Sequence, residues 1–172
     1  MINTMHYQSP VGRLLLAEKN GALIGLWIEG QKYFSQTINN EQTTENPDTA
    51  ILNQAQNWLD RYFRRENPSP HELKLAPSGS EFRQAVWKLL CEIPSGKTTT
   101  YKELAQKIAA ARRLEHMSAQ AVGGAVGHNP ISIIIPCHRV LGTDGSLTGY
   151  AGGIELKKKL LILEGVDLPR KT

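Results

Sequence analysis

The segment Glu66 to Ser80, ENPSPHELKLAPSGS, interrupts any repeating pattern with three prolines and a Ser-Gly-Ser run. Proline removes a backbone donor and fixes φ, and Gly and Ser favour turns, so neither a helix nor a central strand passes through. A domain boundary is expected at residues 67–80, giving domains 1–76 and 77–172. At 172 residues and 40% hydrophobic composition, the chain suits two small domains with buried cores.

Upstream of the break, GRLLLAEKNGALIGLWIE reads as two apolar strands joined through Asn20-Gly21, a dipeptide whose residues both tolerate positive φ. A polar stretch, EQTTENPDT, follows. In AILNQAQNWLDRYFRR, Leu52, Ala55, Leu59 and Tyr62 recur at helical spacing, and the basic end suits the helix dipole.

Downstream, SEFRQAVWKLLCEI places Phe82, Val86, Leu89 and Leu90 on one helical stripe that PSGK ends. In TYKELAQKI, Thr100 and Glu103 predict a capping box, and Tyr101, Leu104, Ala105 and Ile108 fall on one face. SAQAVGGAVG predicts a second short helix with Ser118 as N-cap. Two short helices suggest a helix-turn-helix, although the connection from about 110 to 117 is long for one. Gly123 and Gly124 each cost about 1 kcal/mol against alanine in a helix interior. With Ala119, Ala121 and Ala125 they leave a face almost without side chains, suited either to close helix packing or to entering a nucleic-acid groove.

Charge is unevenly placed. Residues 1–80 carry 7 basic against 8 acidic side chains, residues 81–172 carry 13 against 8. A polyanionic partner would meet the second half. The sequence contains no run of about 20 apolar residues, as a membrane span requires, and no signal-peptide pattern at its start, so an intracellular, cytoplasmic protein is expected. The two cysteines, Cys91 and Cys137, form neither a C-x-x-C pair nor a zinc-type cluster, and free thiols are expected.

The chemistry concentrates after residue 128. Ile131, Ile133, Ile134 and Ile135 predict a strand buried on both faces, ended by Pro136, with Cys137 at its rim. A thiol in apolar surroundings has a raised pKa and is inert, whereas one with a base in reach is an activated nucleophile. In an extended chain His138 would point away from Cys137, so either the chain turns sharply after Pro136 or a water carries the proton between them. Asn129 favours a turn before the strand, and Asp144-Gly145 predicts a hairpin that returns TGYAGG toward Cys137. Tyr150 offers an aromatic wall for a planar ligand, or simple cover. IELKKKLLILEG predicts a last helix with Gly165 at C′. Glu164 then sits at the negative end of its dipole, either solvated or orienting His138 as the third member of a relay.

NPISIIIPCHRV, followed by TGYAGG and LEG, resembles the O6-alkylguanine-DNA alkyltransferases, the methylated-DNA-protein-cysteine methyltransferases. The likeness covers about residues 80–165 strongly, and LDRYFRR extends it weakly into the first half. It implies a ribonuclease-H-like α/β domain followed by a mainly helical domain with a winged helix-turn-helix. It further implies flipping of a damaged guanine and irreversible transfer of its alkyl group to Cys137, once per molecule and without a cofactor. His138 would act as base through a water, Glu164 would orient it, and Asn129 would brace the turn. Tyr101 would help rotate the nucleotide, and Tyr150 and Ala151 would line the base pocket. Gln120, Ala121, Gly123, Gly124 and Arg139 would belong to the DNA-binding set. The implied partner is duplex DNA containing O6-alkylguanine, with O4-methylthymine a further substrate, and the protein a monomer. Gln120 departs from the family's Arg-Ala-Val-Gly, whose arginine fills the gap left by the flipped base, and Ala151 stands where some relatives have serine. A damage sensor that binds without transferring, and a cysteine hydrolase, are the alternatives.

Overall fold

The computed structural model describes residues 1–168. They form two compact units, one comprising Met1–Ser78 with Pro130–Ile134, the other Gly79–Asn129 with the chain from Ile135 onward. The expected class is borne out: an N-terminal unit of sheet and helix and a mainly helical C-terminal unit.

In the first unit β1 (Ile2–Ser9), β2 (Gly12–Lys19) and β3 (Ala22–Ile28) pair antiparallel. Asn20 and Gly21 form the two-residue turn with φ of 53° and 78°, and Lys19 faces Ala22 across it. That is the geometry that matches the twist of the flanking strands. A short strand, β4 (Thr43–Glu45), lies within the polar stretch and pairs parallel with β1, completing the order β3-β2-β1-β4. All three of its residues are exposed, so it lacks the apolar alternation by which strands are recognised. Helix α1 (Ala50–Phe63) is capped by Thr49, whose hydroxyl accepts from the Leu52 amide. It buries Ile51, Leu52, Ala55, Trp58, Leu59 and Tyr62. Each large apolar side chain removed from water contributes about 1.5–3 kcal/mol. The Tyr7 hydroxyl donates to Asp60 at 2.6 Å and ties β1 to this helix.

The isoleucine run corrects an expectation. Ile131, Ile133, Ile134 and Ile135 are buried, but the segment is not a strand: Ile131 alone bridges to Leu26. Leu26 donates to Pro130 O and accepts from Ser132 N, which leaves the rest of the segment free to turn. Ile133 has φ 71°, and Ile134 N donates to Ser132 O at 2.8 Å. This is a γ-turn of the rare positive-φ kind, unfavourable for a β-branched residue.

The second unit holds α2 (Glu81–Leu90), α3 (Tyr101–Ala111), α4 (Ala119–Gly127), α5 (Ile154–Leu163) and a parallel pair, β5 (Thr99–Thr100) and β6 (Val140–Leu141). The buried stripe of α2 is Val86, Trp87 and Leu90; Phe82 and Leu89 are half-buried. Trp87 turns inward because its indole N–H reaches the Ala125 carbonyl of α4 at 2.8 Å. On α3, Leu104, Ala105, Ile108 and Ala109 are buried and Tyr101 is half-buried. Thr100 caps α3 through Glu103 N, while the Glu103 carboxylate accepts from the Thr99 hydroxyl at 2.8 Å. Ser118 caps α4 on two amides, those of Gln120 and Ala121. The helix pair is thus present, joined by residues 112–118. Asp144-Gly145 forms a turn, closed by Gly142 N to Ser146 O at 2.9 Å, but among the described residues no second strand follows it.

Candidate active site

Pro136 has φ −82° and ψ 65°, and Cys137 N donates to Ile135 O at 2.8 Å. This inverse γ-turn reverses the chain at the proline. Cys137–Arg139 then forms a single 3-10 turn, in which successive side chains are about 120° apart rather than opposed. The chain does turn sharply after Pro136, but His138 Nδ1 has no hydrogen-bond partner among the described residues, so the turn alone does not set the imidazole on the sulfur.

Cys137 is a free thiol, 5% exposed. Burial pushes its pKa up, opposed by a hydrogen bond from Asn129 and the charge of Lys157. Its resting form is therefore the protonated thiol. Asn129, also buried, donates to Ile135 O at 2.8 Å and so clamps both sides of the reversal.

His138 is wholly buried, and its Nε2 lies 2.6 Å from Glu164 Oε2. Burial lowers its pKa, with the Glu164 carboxylate opposing, and the net direction is downward. The imidazole is therefore neutral at rest. A carboxylate can only accept, so Nε2 carries the hydrogen and Nδ1 the lone pair. Nδ1 is buried and has no hydrogen-bond partner among the described residues, leaving it available to take a proton.

Glu164 caps the C-terminus of α5, and Gly165 at φ 85° ends the helix as expected. Burial would raise the Glu164 pKa, but His138 and Arg139, both hydrogen-bonded to it, hold it down to about 2. Its other oxygen, Oε1, accepts from Arg139 Nε at 2.7 Å. Arg139, grouped on the sequence with the DNA-contacting residues, is instead interior. It is 6% exposed, and its Nη1 donates to Ile93 O at 2.5 Å. A guanidinium committed to those partners is not on offer to a phosphate.

Tyr150 is 8% exposed, its ring edge-on to His138 with centroids 6.4 Å apart. Ala151 follows in the turn that Gly153 N closes on Tyr150 O. Tyr101 donates its hydroxyl to Thr148 O at 3.1 Å. Gly149 makes this possible: it sits at φ 85°, and a Cβ there would come within 2.8 Å of the tyrosine oxygen. The bare face of α4 is divided between a packed part and an open part. Gly123 faces the Tyr101 ring, where a Cβ would stand 3.7 Å away, whereas Gly124 opens on space and Ala119, Gln120 and Ala121 are exposed.

Lys157 was not expected here. Its side chain is fully buried, with Nζ donating to Val140 O at 2.5 Å and to Thr148 O at 3.0 Å. Burial lowers its pKa to about 8, with Cys137 opposing. It is the first of three consecutive lysines, and Lys157, Leu160, Leu161 and Glu164 stand at i, i+3, i+4 and i+7. The helical period alone places it on the buried face. Among the described residues no cluster of three or more His, Cys, Asp and Glu side chains gathers that could hold a metal ion.

A buried thiol, a neutral imidazole and a buried carboxylate, mounted on a mainly helical unit, define a cysteine-nucleophile protein. The chain belongs to the 6-O-methylguanine DNA methyltransferase family: residues 4–77 match the model of its ribonuclease-like domain and residues 81–166 that of its DNA binding domain. It is 42% identical to a methylated-DNA--protein-cysteine methyltransferase of Methanosarcina barkeri, over 94% of this chain and 96% of that one. A protein of the same name from Mycobacterium tuberculosis is also 42% identical, covering 98% and 96%. The crystal structure of Mycobacterium tuberculosis OGT in complex with DNA superposes with a TM-score of 0.80 at 39% identity, covering 98% of this chain and 95% of that one. Among the described residues no helix is long and apolar enough to cross a membrane.

Proposed function

We propose that the protein repairs DNA by irreversible transfer of the alkyl group of O6-alkylguanine to Cys137, one group per molecule, after the base is flipped from the duplex. The observation that carries this is the buried thiol set on one short turn with His138, whose Nε2 is 2.6 Å from Glu164. The Cys137 proton passes through a water to Nδ1 of His138, and the imidazolium is held by Glu164. The sulfur electron pair forms a bond to the methyl carbon as the carbon–O6 bond breaks. That bonding pair goes to the guanine, which takes up a proton from solvent while the His138 imidazolium releases the thiol's proton to solvent. Thiol and O6-methylguanine become thioether and guanine, with no cofactor and no step that regenerates the thiol. Sulfur is a soft nucleophile suited to a methyl carbon, and the low-dielectric surroundings favour a charge-dispersed transition state over two separated ions.

Residues 77–172 act as the DNA-binding and alkyl-acceptor part. Asn129 braces the reversal, Tyr150 and Ala151 line the base pocket, and Tyr101 helps rotate the nucleotide. Gln120, Ala121, Gly123 and Gly124 meet the DNA, with Gln120 a shorter, uncharged plug than arginine. Flipping costs a few kcal/mol, least for a lesion that pairs badly. The protein acts as a cytoplasmic monomer.

The test is stoichiometric. Titrating a duplex containing O6-methylguanine against the protein should remove one lesion per molecule and then stop, with Cys137→Ser removing none. Continued turnover, or tight lesion binding without methyl loss, would reject the proposal.

A further inference from the structure

The Glu164 carboxylate is shared between two donors of different character. His138 Nε2 meets Oε2 at 2.6 Å and Arg139 Nε meets Oε1 at 2.7 Å, with all three side chains at most 7% exposed. An anion so deeply buried requires compensation by positive charge and hydrogen bonds. His138 supplies charge only after it has taken a proton, whereas the guanidinium is charged throughout. Arg139 is itself anchored, through Nη1 on Ile93 O, where the chain leaves α2. Glu164 is thus fixed at both oxygens, which sets the direction in which it faces the imidazole. It also sits at the negative end of α5, where a carboxylate without a partner is disfavoured.

We propose that Arg139 is a positioning residue of the transfer reaction: held on the Ile93 carbonyl, its guanidinium supplies the standing counter-charge that keeps Glu164 an anion aimed at His138 while the imidazole is neutral. This rests on the assignment of His138 as proton carrier. Among the described residues, Lys157 on α5 and Tyr150 on the loop before it face His138, and Cys91, just past α2, faces Arg139; Glu92 lies beside Cys91, and Tyr101 on α3 beside Cys137. The Lys157 ammonium is engaged by the Val140 and Thr148 carbonyls.

Without the guanidinium, the Glu164–His138 pair gains a proton more readily and titrates as a unit. The protonated pair cannot accept the Cys137 proton, so transfer fails at a higher pH than in the wild type. The experiment is the single-turnover rate of methyl transfer from an O6-methylguanine duplex as a function of pH, over the range where circular dichroism shows each protein folded. Arg139→Met should move the acid limb upward by about one unit or more, the size of shift expected when a neighbouring opposite charge is removed. Arg139→Lys, which keeps the charge but not the fork, should be slower while its limb stays near the wild-type position; it also serves if the methionine variant does not fold. A uniform loss of rate with an unmoved limb in Arg139→Met, or a limb displaced as far in Arg139→Lys, would overturn the proposal. His138→Gln separates the underlying assignment: an unchanged rate there would reject His138 as proton carrier, whatever the arginine variants do.

Discussion

Glu164 and His138 make stability depend on pH in one direction. Both have folded-state pKa values below their ordinary ones, so the unfolded chain binds more protons and stability is lost as pH falls. The His138 contribution begins to fall away below its ordinary 6.5, and that of Glu164 between its ordinary 4.5 and about 2. Thermal unfolding midpoints should therefore decline through both windows. Glu164→Gln should flatten the lower one, removing a contribution on the order of 1–3 kcal/mol at neutral pH. Equal acid sensitivity of wild type and variant would show that the pair is not coupled to folding. At this scale Cys137, His138 and Glu164 were legible because reactive residue types recur in a recognisable motif. Arg139 was not, because the resemblance groups it with the DNA-binding residues; only the position of Ile93 O and Glu164 reveals an interior role.

Elements were legible where local pattern and tertiary need agree. The Asn20-Gly21 turn, the Thr49–Phe63 and Ser118–Gly127 helices with their caps, and the Gly165 stop all follow from local chemistry. The Ile131–Ile135 segment failed because β-branched residues describe burial as well as they describe a strand. Two γ-turns, at Ile133 and Pro136, replace the strand and aim Cys137. The positive φ of Ile133 yields a test. In ordinary backbone Ile→Gly destabilises more than Ile→Ala, by roughly 1 kcal/mol. At φ 71° the order should vanish or reverse, with Ile133→Gly at least as stable as Ile133→Ala in urea titration. A glycine variant weaker than the alanine one by the usual margin would show that Ile133 is not strained. β4 escaped notice for the opposite reason: three exposed polar residues pair only because β1 offers them an edge.

For the whole molecule, the two halves contrast in charge as well as in structure. The excess of basic residues lies beyond residue 80, in the half that matches the DNA binding domain of the family. Affinity for duplex DNA should fall as salt rises, with a log–log slope of roughly −0.9 for each phosphate neutralised. A flat salt response in fluorescence anisotropy would argue against a phosphate-based interface. The sequence shows the proline-rich break, the charge asymmetry and the motif. The inclusion of Pro130–Ile134 in the first compact unit was not legible there, because no local pattern encodes which sheet a passing segment will accompany. The central claim, that Cys137 is a single-use acceptor, is tested most directly by peptide-level mass spectrometry after incubation with an O6-methylguanine duplex. The account predicts one added methyl on the peptide carrying Cys137, none on Cys91, and an unmodified product from Cys137→Ser. Methyl loss from the DNA with Cys137 unmodified would contradict it.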